Sequence, residues 1–132
     1  MKDRWLFIVN PASADGKGGI KWKSVHQQFL KYDFDPVVWS SEYNGHMEEL
    51  VVRACQEGYR KIASYGGDGS LNAVVNGLMK QQTCAPSEVL LAHYPSGTGN
   101  DWTRFFKVPD NPKEWVATLK KGLTFKHDLG II

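Results

Sequence analysis

The segment KIASYGGDGSLNAVVNGLM, residues 61–79, contains the pattern that decides the fold. Its first five residues are typical of a buried strand, and a turn with three glycines around one acid follows them. From Leu71 onward, apolar residues recur with helical spacing. These residues are Leu71, Val74, Val75, Leu78 and Met79. A strand, a glycine-rich turn and a helix in this order place backbone N–H groups and a helix N-terminus where an anion can bind.

The same alternation of strands and helices extends over the whole chain. The hydrophobic pattern predicts strands at residues 4–9, 36–40, 61–65 and 89–94. It predicts helices at residues 20–32, 47–55, 71–79 and 113–121, a short helical turn at 100–106, and extended chain from residue 123. This order predicts an α/β fold, a three-layer sandwich with a mostly parallel sheet. Polar loops that follow the strands are then expected to meet at one edge of the sheet.

The composition is that of a globular domain. The chain has 132 residues, 42% hydrophobic and 23% charged, with a net charge of +2. This charge is too small to indicate nucleic-acid binding, and five tryptophans are expected in the core or at domain contacts. No apolar run is long enough to span a membrane, and the N-terminus lacks the pattern of a secretory signal. Two cysteines without a CxxC motif indicate no zinc site, and Cys55 is expected to be a buried thiol in a reducing cytoplasm.

Asp68 is the residue in the glycine-rich turn that needs an explanation, because a carboxylate repels phosphate. One interpretation is structural: Asp68 or Ser70 caps the helix that follows. The other is functional, since Gly66, Gly67 and Gly69 can let the backbone approach a ligand. Three glycines around one acid exceed what a tight turn needs, and this favours the functional interpretation.

Two further glycine-bearing loops follow predicted strands. PSGTGND, residues 95–101, offers Thr98 and Asn100 as ligand contacts, or Asp101 as part of a capped helix start. NPASADGKGG, residues 10–19, places Lys17 between glycines, which suits either a phosphate neighbour or a surface loop. Neither GxxxxGK[ST] nor GxGxxG occurs, so a P-loop or a dinucleotide-binding Rossmann site is not supported. Two carboxylates in converging loops, Asp68 and Asp101, indicate Mg²⁺ bridging protein and substrate phosphates.

Together these motifs resemble the N-terminal part of the diacylglycerol kinase catalytic domain family, which includes bacterial lipid kinases and, more distantly, sphingosine kinases. The matching segments are NPASADGKG, SSEYNGHMEEL, GGDGSLNAVVNGL and PSGTGNDWTR, which fall in order within residues 7–130. GGDG alone also occurs in NAD kinases and their phosphofructokinase-like relatives. The NGL after it and the later GTGND favour the lipid kinases. The resemblance implies an NAD kinase/phosphofructokinase-like N-terminal domain.

The resemblance implies transfer of the γ-phosphoryl group of ATP to a lipid hydroxyl, with ATP and Mg²⁺ as cofactors. By this resemblance Asp68 is a catalytic residue. The implied nucleotide-binding residues are Asn10, Ser40, Ser41, Gly66, Gly67, Asp68, Gly69, Thr98, Gly99 and Asn100. Asp68, Asp101 and Asp128 match acidic positions that reach Mg²⁺ through water. The chain departs from the family pattern at Ala73, where relatives usually carry glutamate.

The resemblance also sets expectations for domains and partners. Residues 1–127 are expected to form the nucleotide-binding domain. Residues 128–132 are expected to begin the crossover into a β-rich C-terminal domain that holds the general base, so this chain alone is expected to be inactive. Lipid access implies transient contact with a membrane surface from the cytoplasm. For the oligomeric state, a homodimer stays open.

Two other functions stay open at this point. The first is a kinase for a soluble substrate such as NAD, because GGDG is shared with that group. The second is a non-catalytic module that senses nucleotide, for which Ala73 gives some support.

Overall fold

The computed structural model describes residues 4–10, 18–43, 45–95 and 112–120; for residues 18–21, 68 and 95 it describes the backbone. The strands of this part of the chain are β1 (Leu6–Val9), β2 (Val37–Ser40), β3 (Lys61–Gly66) and β4 (Leu90–Pro95). Its α-helices are α1 (Gly18–Lys31), α2 (His46–Gln56), α3 (Asp68–Lys80) and α4 (Pro112–Lys120), with a 3-10 turn at Pro86–Glu88.

The four strands form one sheet in the order β2-β1-β3-β4, and each neighbouring pair is parallel. In register, Leu6 lies between Val37 of β2 and Ile62 of β3. A parallel sheet needs helices on both faces, because its strands are buried on both sides. The predicted α/β class with a parallel sheet is confirmed.

Side chains of β1 alternate between two cores, one on each face of the sheet. Leu6 and Ile8 pack with residues of α2 and α3, whereas Phe7 and Val9 pack with residues of α1 and α4. All four side chains are at most 1% exposed. The alternation follows from the two-residue period of a strand and produces three layers, α1/α4, the sheet and α2/α3.

The α1/α4 core is mainly aromatic. The ring of Phe7 contacts the rings of Trp22, Phe29, Phe34 and Trp115 at centroid distances of 5.1 to 6.1 Å. Trp22 and Trp115 are buried, and Trp5 and Trp39 pack against the cores, as predicted; Trp102 lies outside the described residues. The Nε1 of Trp115 donates to the carbonyl oxygen of His93 at 2.9 Å and so joins α4 to β4.

Helices α2 and α3 touch closely at Gly77. A Cβ atom at this position would lie 2.7 Å from Cβ of Val51 and 2.9 Å from the carbonyl oxygen of Glu48. Both distances are shorter than van der Waals contact, so the two backbones approach as far as they do only because residue 77 lacks a side chain.

The helix after GGDG begins earlier than its apolar pattern indicates. The N–H groups of Ser70 and Leu71 donate to the carbonyl oxygen of Gly67, at 3.1 and 3.2 Å, so the first turn starts at Asp68. Gly67 is therefore the N-cap residue, and the interpretation of Asp68 or Ser70 as the cap is wrong. Cys55 is fully buried, as predicted, and Cys84 is partly buried. The predicted elements at 100–106 and after 123 lie outside the described residues.

Candidate functional site

The strand order creates a crevice between β1 and β3. These strands are neighbours, yet the chain leaves β1 toward the α1/α4 layer and leaves β3 toward the α2/α3 layer. Ligands of open α/β sheets bind at such a switch point, beyond the carboxyl ends of the strands. A pocket of about 440 Å³ lies here, within the range of small-molecule sites.

Two residues that follow strands form the sheet side of this pocket. Asn10 follows β1 and Ser41 follows β2, and the Ser41 hydroxyl lies 3.5 Å from the Asn10 side-chain oxygen. The N–H group of Ser41 donates to the carbonyl oxygen of Val9 at 2.8 Å, which continues the sheet pairing to the pocket edge. Ser41 is buried and lines the pocket, whereas Ser40 is exposed and lies outside its lining. Of the two predicted serines, Ser41 therefore has the position to contact a ligand.

The β3–α3 turn brings the start of a helix to the same pocket. Gly66 has a φ angle of 145°, which residues other than glycine rarely adopt. This backbone conformation turns the chain directly from β3 into α3. Gly69 lines the pocket, and a Cβ atom there would meet no atom of the described residues within 4 Å. The N-terminus of α3 thus faces the pocket, and its positive electrostatic potential suits an anionic group of a ligand.

The first turns of α3 form one wall of the pocket. Ser70, Asn72, Ala73 and Asn76 line it, so hydroxyl and amide groups are available to a polar ligand. Asn72 and Asn76 are exposed and lie one helical turn apart. Sequence analysis did not select these two asparagines, although the available signal was their polar spacing on the face opposite the apolar pattern.

The opposite wall comes from α2 and the loop before it. Gly45, the N-cap residue, has φ of 87°, and with Tyr43 and Met47 it lines the pocket. The Tyr43 ring stacks on His46 at 4.3 Å, and the Tyr43 hydroxyl donates to the Glu49 carboxylate, which raises the pKa of Tyr43. These contacts tie the loop to the first turn of α2 and so hold the wall in place.

Glu48 is the acid in the described lining. Its carboxylate accepts from Nζ of Lys80 at 2.9 Å, so the charge of this wall is partly balanced by α3. Among the residues that the structure describes, no group of three or more metal-ligating side chains comes together.

A buried polar pair lies behind the end of β3. Ser64 and His93 face each other across β3 and β4, with the Ser64 hydroxyl 2.6 Å from Nδ1 of the imidazole. Burial lowers the pKa of His93 to about 4, so the ring is neutral near pH 7. Neither residue was selected from the sequence, because a single histidine in an apolar strand carries no spacing signal.

The predicted site residues other than Ser40 fall into four groups. Asn10, Ser41 and Gly69 meet at the pocket, and Gly66 and Gly67 form the adjoining turn. For Asp68 the structure describes the backbone at the first residue of α3. Outside the described residues lie Thr98, Gly99, Asn100, Asp101 and Asp128.

Several known proteins with similar sequences are named as lipid kinases or diacylglycerol kinases. The model of the diacylglycerol kinase catalytic domain family matches residues 4–132. YtlR of Bacillus subtilis, a candidate lipid kinase, is 30% identical over 133 residues, which cover 97% of this chain. A diacylglycerol kinase of Staphylococcus carnosus is 29% identical over 130 residues, which cover 98% of this chain.

A solved structure has the same fold. The crystal structure of a diacylglycerol kinase from Bacillus anthracis superimposes with a TM-score of 0.70 over 91% of this chain and 40% of that one, at 26% identity. The chain likewise spans 41% of each of the two curated relatives. No helix within the described ranges is long and apolar enough to cross a membrane.

Proposed function

Because this chain belongs to the diacylglycerol kinase catalytic domain family, we propose that it forms the nucleotide-binding half of an ATP-dependent lipid kinase. The observation that carries the proposal is the pocket at the β1/β3 switch point. Asn10, Ser41 and Gly69, three residues expected to bind nucleotide, are far apart in sequence and meet there beside the start of α3. This pocket has the polar lining and the helix N-terminus that a nucleoside polyphosphate requires.

The residues of the β3–α3 turn fit the phosphate end of such a nucleotide. Gly66 and Gly67 bring the backbone into the crevice, and the described residues around Gly69 leave room for phosphate oxygens. N–H groups fixed in this way stabilise the charge that develops on a transferred phosphoryl group. Asn10 and Ser41 offer an amide and a hydroxyl that can orient the nucleotide in the pocket.

Mg²⁺ would neutralise the negative charge of the phosphates in this reaction. We propose that Asp68 is the main protein carboxylate of the metal network, with Asp101 and Asp128 as its partners through water. In this role Asp68 positions the phosphates and does not accept the substrate proton. The residue that accepts the proton is expected in the β-rich domain.

In the proposed reaction, an oxygen of a lipid hydroxyl forms a bond to the γ-phosphorus of ATP. The bond between the γ-phosphorus and the oxygen that bridges it to the β-phosphate breaks, so ADP leaves. The hydroxyl proton passes to the general base. Residues 1–127 are proposed as the nucleotide-binding domain and residues 128–132 as the start of the crossover to the second domain.

The test compares full-length wild-type protein with Asp68→Ala, using labelled ATP and diacylglycerol in mixed micelles. We expect kcat to fall at least about 100-fold, because the Mg²⁺ that would neutralise phosphate charge in the transition state loses its main protein carboxylate. Arg53→Gln on the exposed side of α2 is the matched control and should retain full activity. Unimpaired lipid phosphorylation by Asp68→Ala would refute the role proposed for this carboxylate.

A panel of acceptors separates the alternatives. Transfer to NAD without transfer to any lipid would favour a kinase of a soluble substrate. Ala73 lines the pocket where the family usually carries glutamate, and this supports a nucleotide-sensing module as a second candidate. Tight binding of ATP with Mg²⁺ and no turnover toward any acceptor would identify such a module.

A further inference from the structure

The two helical layers of this fold carry opposite charge. Helices α1 and α4 contain five lysines and one glutamate, whereas α2 and α3 contain three acids and two bases. Both bases of the α2/α3 layer are paired: Arg53 contacts Glu57 at 2.7 Å, and Lys80 contacts Glu48 at 2.9 Å. Excess positive charge is therefore concentrated on the α1/α4 layer.

The exposed residues of α1 form a continuous stripe that points away from the sheet. Lys23, Gln27, Leu30 and Lys31 recur with helical spacing and are all exposed, while Phe29 on the opposite side is fully buried. Helix α1 contains no acidic residue. Leu30 is 51% exposed between these lysines, so the stripe combines positive charge with an apolar side chain.

Helix α4 extends this stripe sideways. The ring of Trp115 stacks on Phe29 at 5.6 Å, and Nζ of Lys120 donates to the carbonyl oxygen of Tyr32 at 2.9 Å, so the two helices lie side by side. Lys113 and Lys120 are exposed two turns apart on α4. Among the described residues, three acids lie nearby: Glu114 is on α4, and the turn after α1 carries Asp33 and Asp35, of which Asp35 contacts Arg4 at 3.4 Å.

We infer that this basic face, formed by Lys23, Leu30 and Lys31 of α1 with Lys113 and Lys120 of α4, docks the protein on an anionic lipid surface. The inference rests on the proposed function for its class of partner, because the acceptor of a lipid kinase lies in a bilayer. Lysine stems lie along an apolar surface while their ammonium groups contact lipid head groups, and Leu30 can enter the interface between them. The α2/α3 layer, with its paired charges, would face away from the membrane.

The binding experiment measures sedimentation of full-length protein with phosphatidylcholine vesicles that contain no, or about a third, phosphatidylglycerol. It is run without ATP, so failure of the kinase proposal leaves the result interpretable. We expect binding to the anionic vesicles only. The double variant Lys23→Gln/Lys31→Gln should bind about 25-fold more weakly, since each lysine near an anionic surface contributes about fivefold.

The matched control removes two positive charges from the other layer. Arg53→Gln/Lys80→Gln has the same net charge as the test variant and should bind anionic vesicles like wild type. Leu30→Ser should bind the vesicles more weakly than wild type at low salt and also at about 0.5 M salt, where screening has removed most of the lysine contribution. Circular dichroism at the assay temperature confirms that each variant is folded before its binding is compared.

Three outcomes would overturn the inference. Equal binding of the two double variants would show that net charge, not this face, determines association. Wild-type binding that does not distinguish vesicles with and without phosphatidylglycerol would remove the electrostatic argument. Binding of the face to single-stranded RNA with no affinity for anionic vesicles would assign it to a different partner.

Discussion

Gly77→Ala gives the most direct test of how α2 and α3 pack. The new Cβ would lie 2.7 Å from Cβ of Val51 and 2.9 Å from the carbonyl oxygen of Glu48. Neither neighbour can rotate away, because one atom is attached to the backbone and the other belongs to it. The helices must therefore move apart by about 0.7 Å to reach an ordinary contact of 3.4 Å.

The expected effect follows from two opposing contributions. Overpacking of a core contact costs about 3 kcal/mol when, as here, side-chain rotation cannot relieve it. Alanine in a helix interior is favoured over glycine by about 1 kcal/mol. The net expectation is a loss of about 2 kcal/mol in the free energy of unfolding, measured by urea denaturation followed by circular dichroism.

Gly69→Ala is the matched control, since it makes the same substitution in the same helix. A Cβ at position 69 meets no atom of the described residues within 4 Å, so stability should stay within about 0.5 kcal/mol of wild type or rise slightly. If Gly77→Ala proves as stable as Gly69→Ala, α2 and α3 do not approach each other at Gly77 as closely as the structure shows.

Two further predictions concern buried titratable groups. Burial holds the pKa of folded His93 at about 4, below its ordinary value of 6.5, so between these pH values the unfolded chain binds more protons than the folded one. The free energy of unfolding of the wild type should therefore fall by about 2 kcal/mol between pH 7 and pH 5. For His93→Gln the fall over the same range should be about 2 kcal/mol smaller. Parallel curves of unfolding free energy against pH for the two proteins would contradict this. Burial, with the nearby Cys84 thiol, raises the pKa of Cys55 to about 11, so at pH 8 a thiol reagent should label Cys84 and reach Cys55 only in urea. Mass spectrometry of Cys84→Ser provides the check, and rapid labelling of this variant without denaturant would show that Cys55 is accessible.

The sequence was most informative where a pattern reports burial. All five residues on which the prediction of α2 depended are buried in the structure: Met47, Leu50, Val51, Ala54 and Cys55. A helix with one buried face has apolar residues at helical spacing, whichever element it packs against. The helix can therefore be predicted without knowing its neighbours in the fold. The parallel sheet followed from the same patterns, because alternating strands and helices allow few other arrangements.

The sequence was less informative about polar residues at the pocket and in the core, because the spacing of apolar residues does not mark them. The apolar pattern predicts the start of this helix at Leu71, whereas α3 begins at Asp68, because its first turn faces the pocket and has no apolar period. Asn76 gave no signal either, because an exposed amide becomes a pocket wall only through the packing of α2 beside α3. His93 was missed for a related reason: its low pKa comes from burial, which results from the packing of the whole sheet, and its partner Ser64 lies on another strand.

The two halves of GGDGSLNAVVNGL have different physical tasks in one pocket. The first half turns the chain at Gly66 and leaves the pocket open at Gly69. The second half sets the distance between the pocket walls, because Gly77 lets α3 approach the backbone of Glu48, and Glu48 itself lines the pocket. A larger residue at position 77 would therefore widen the pocket as well as destabilise the fold. If this coupling is correct, Gly77→Ala should weaken nucleotide binding even under conditions in which the protein remains folded.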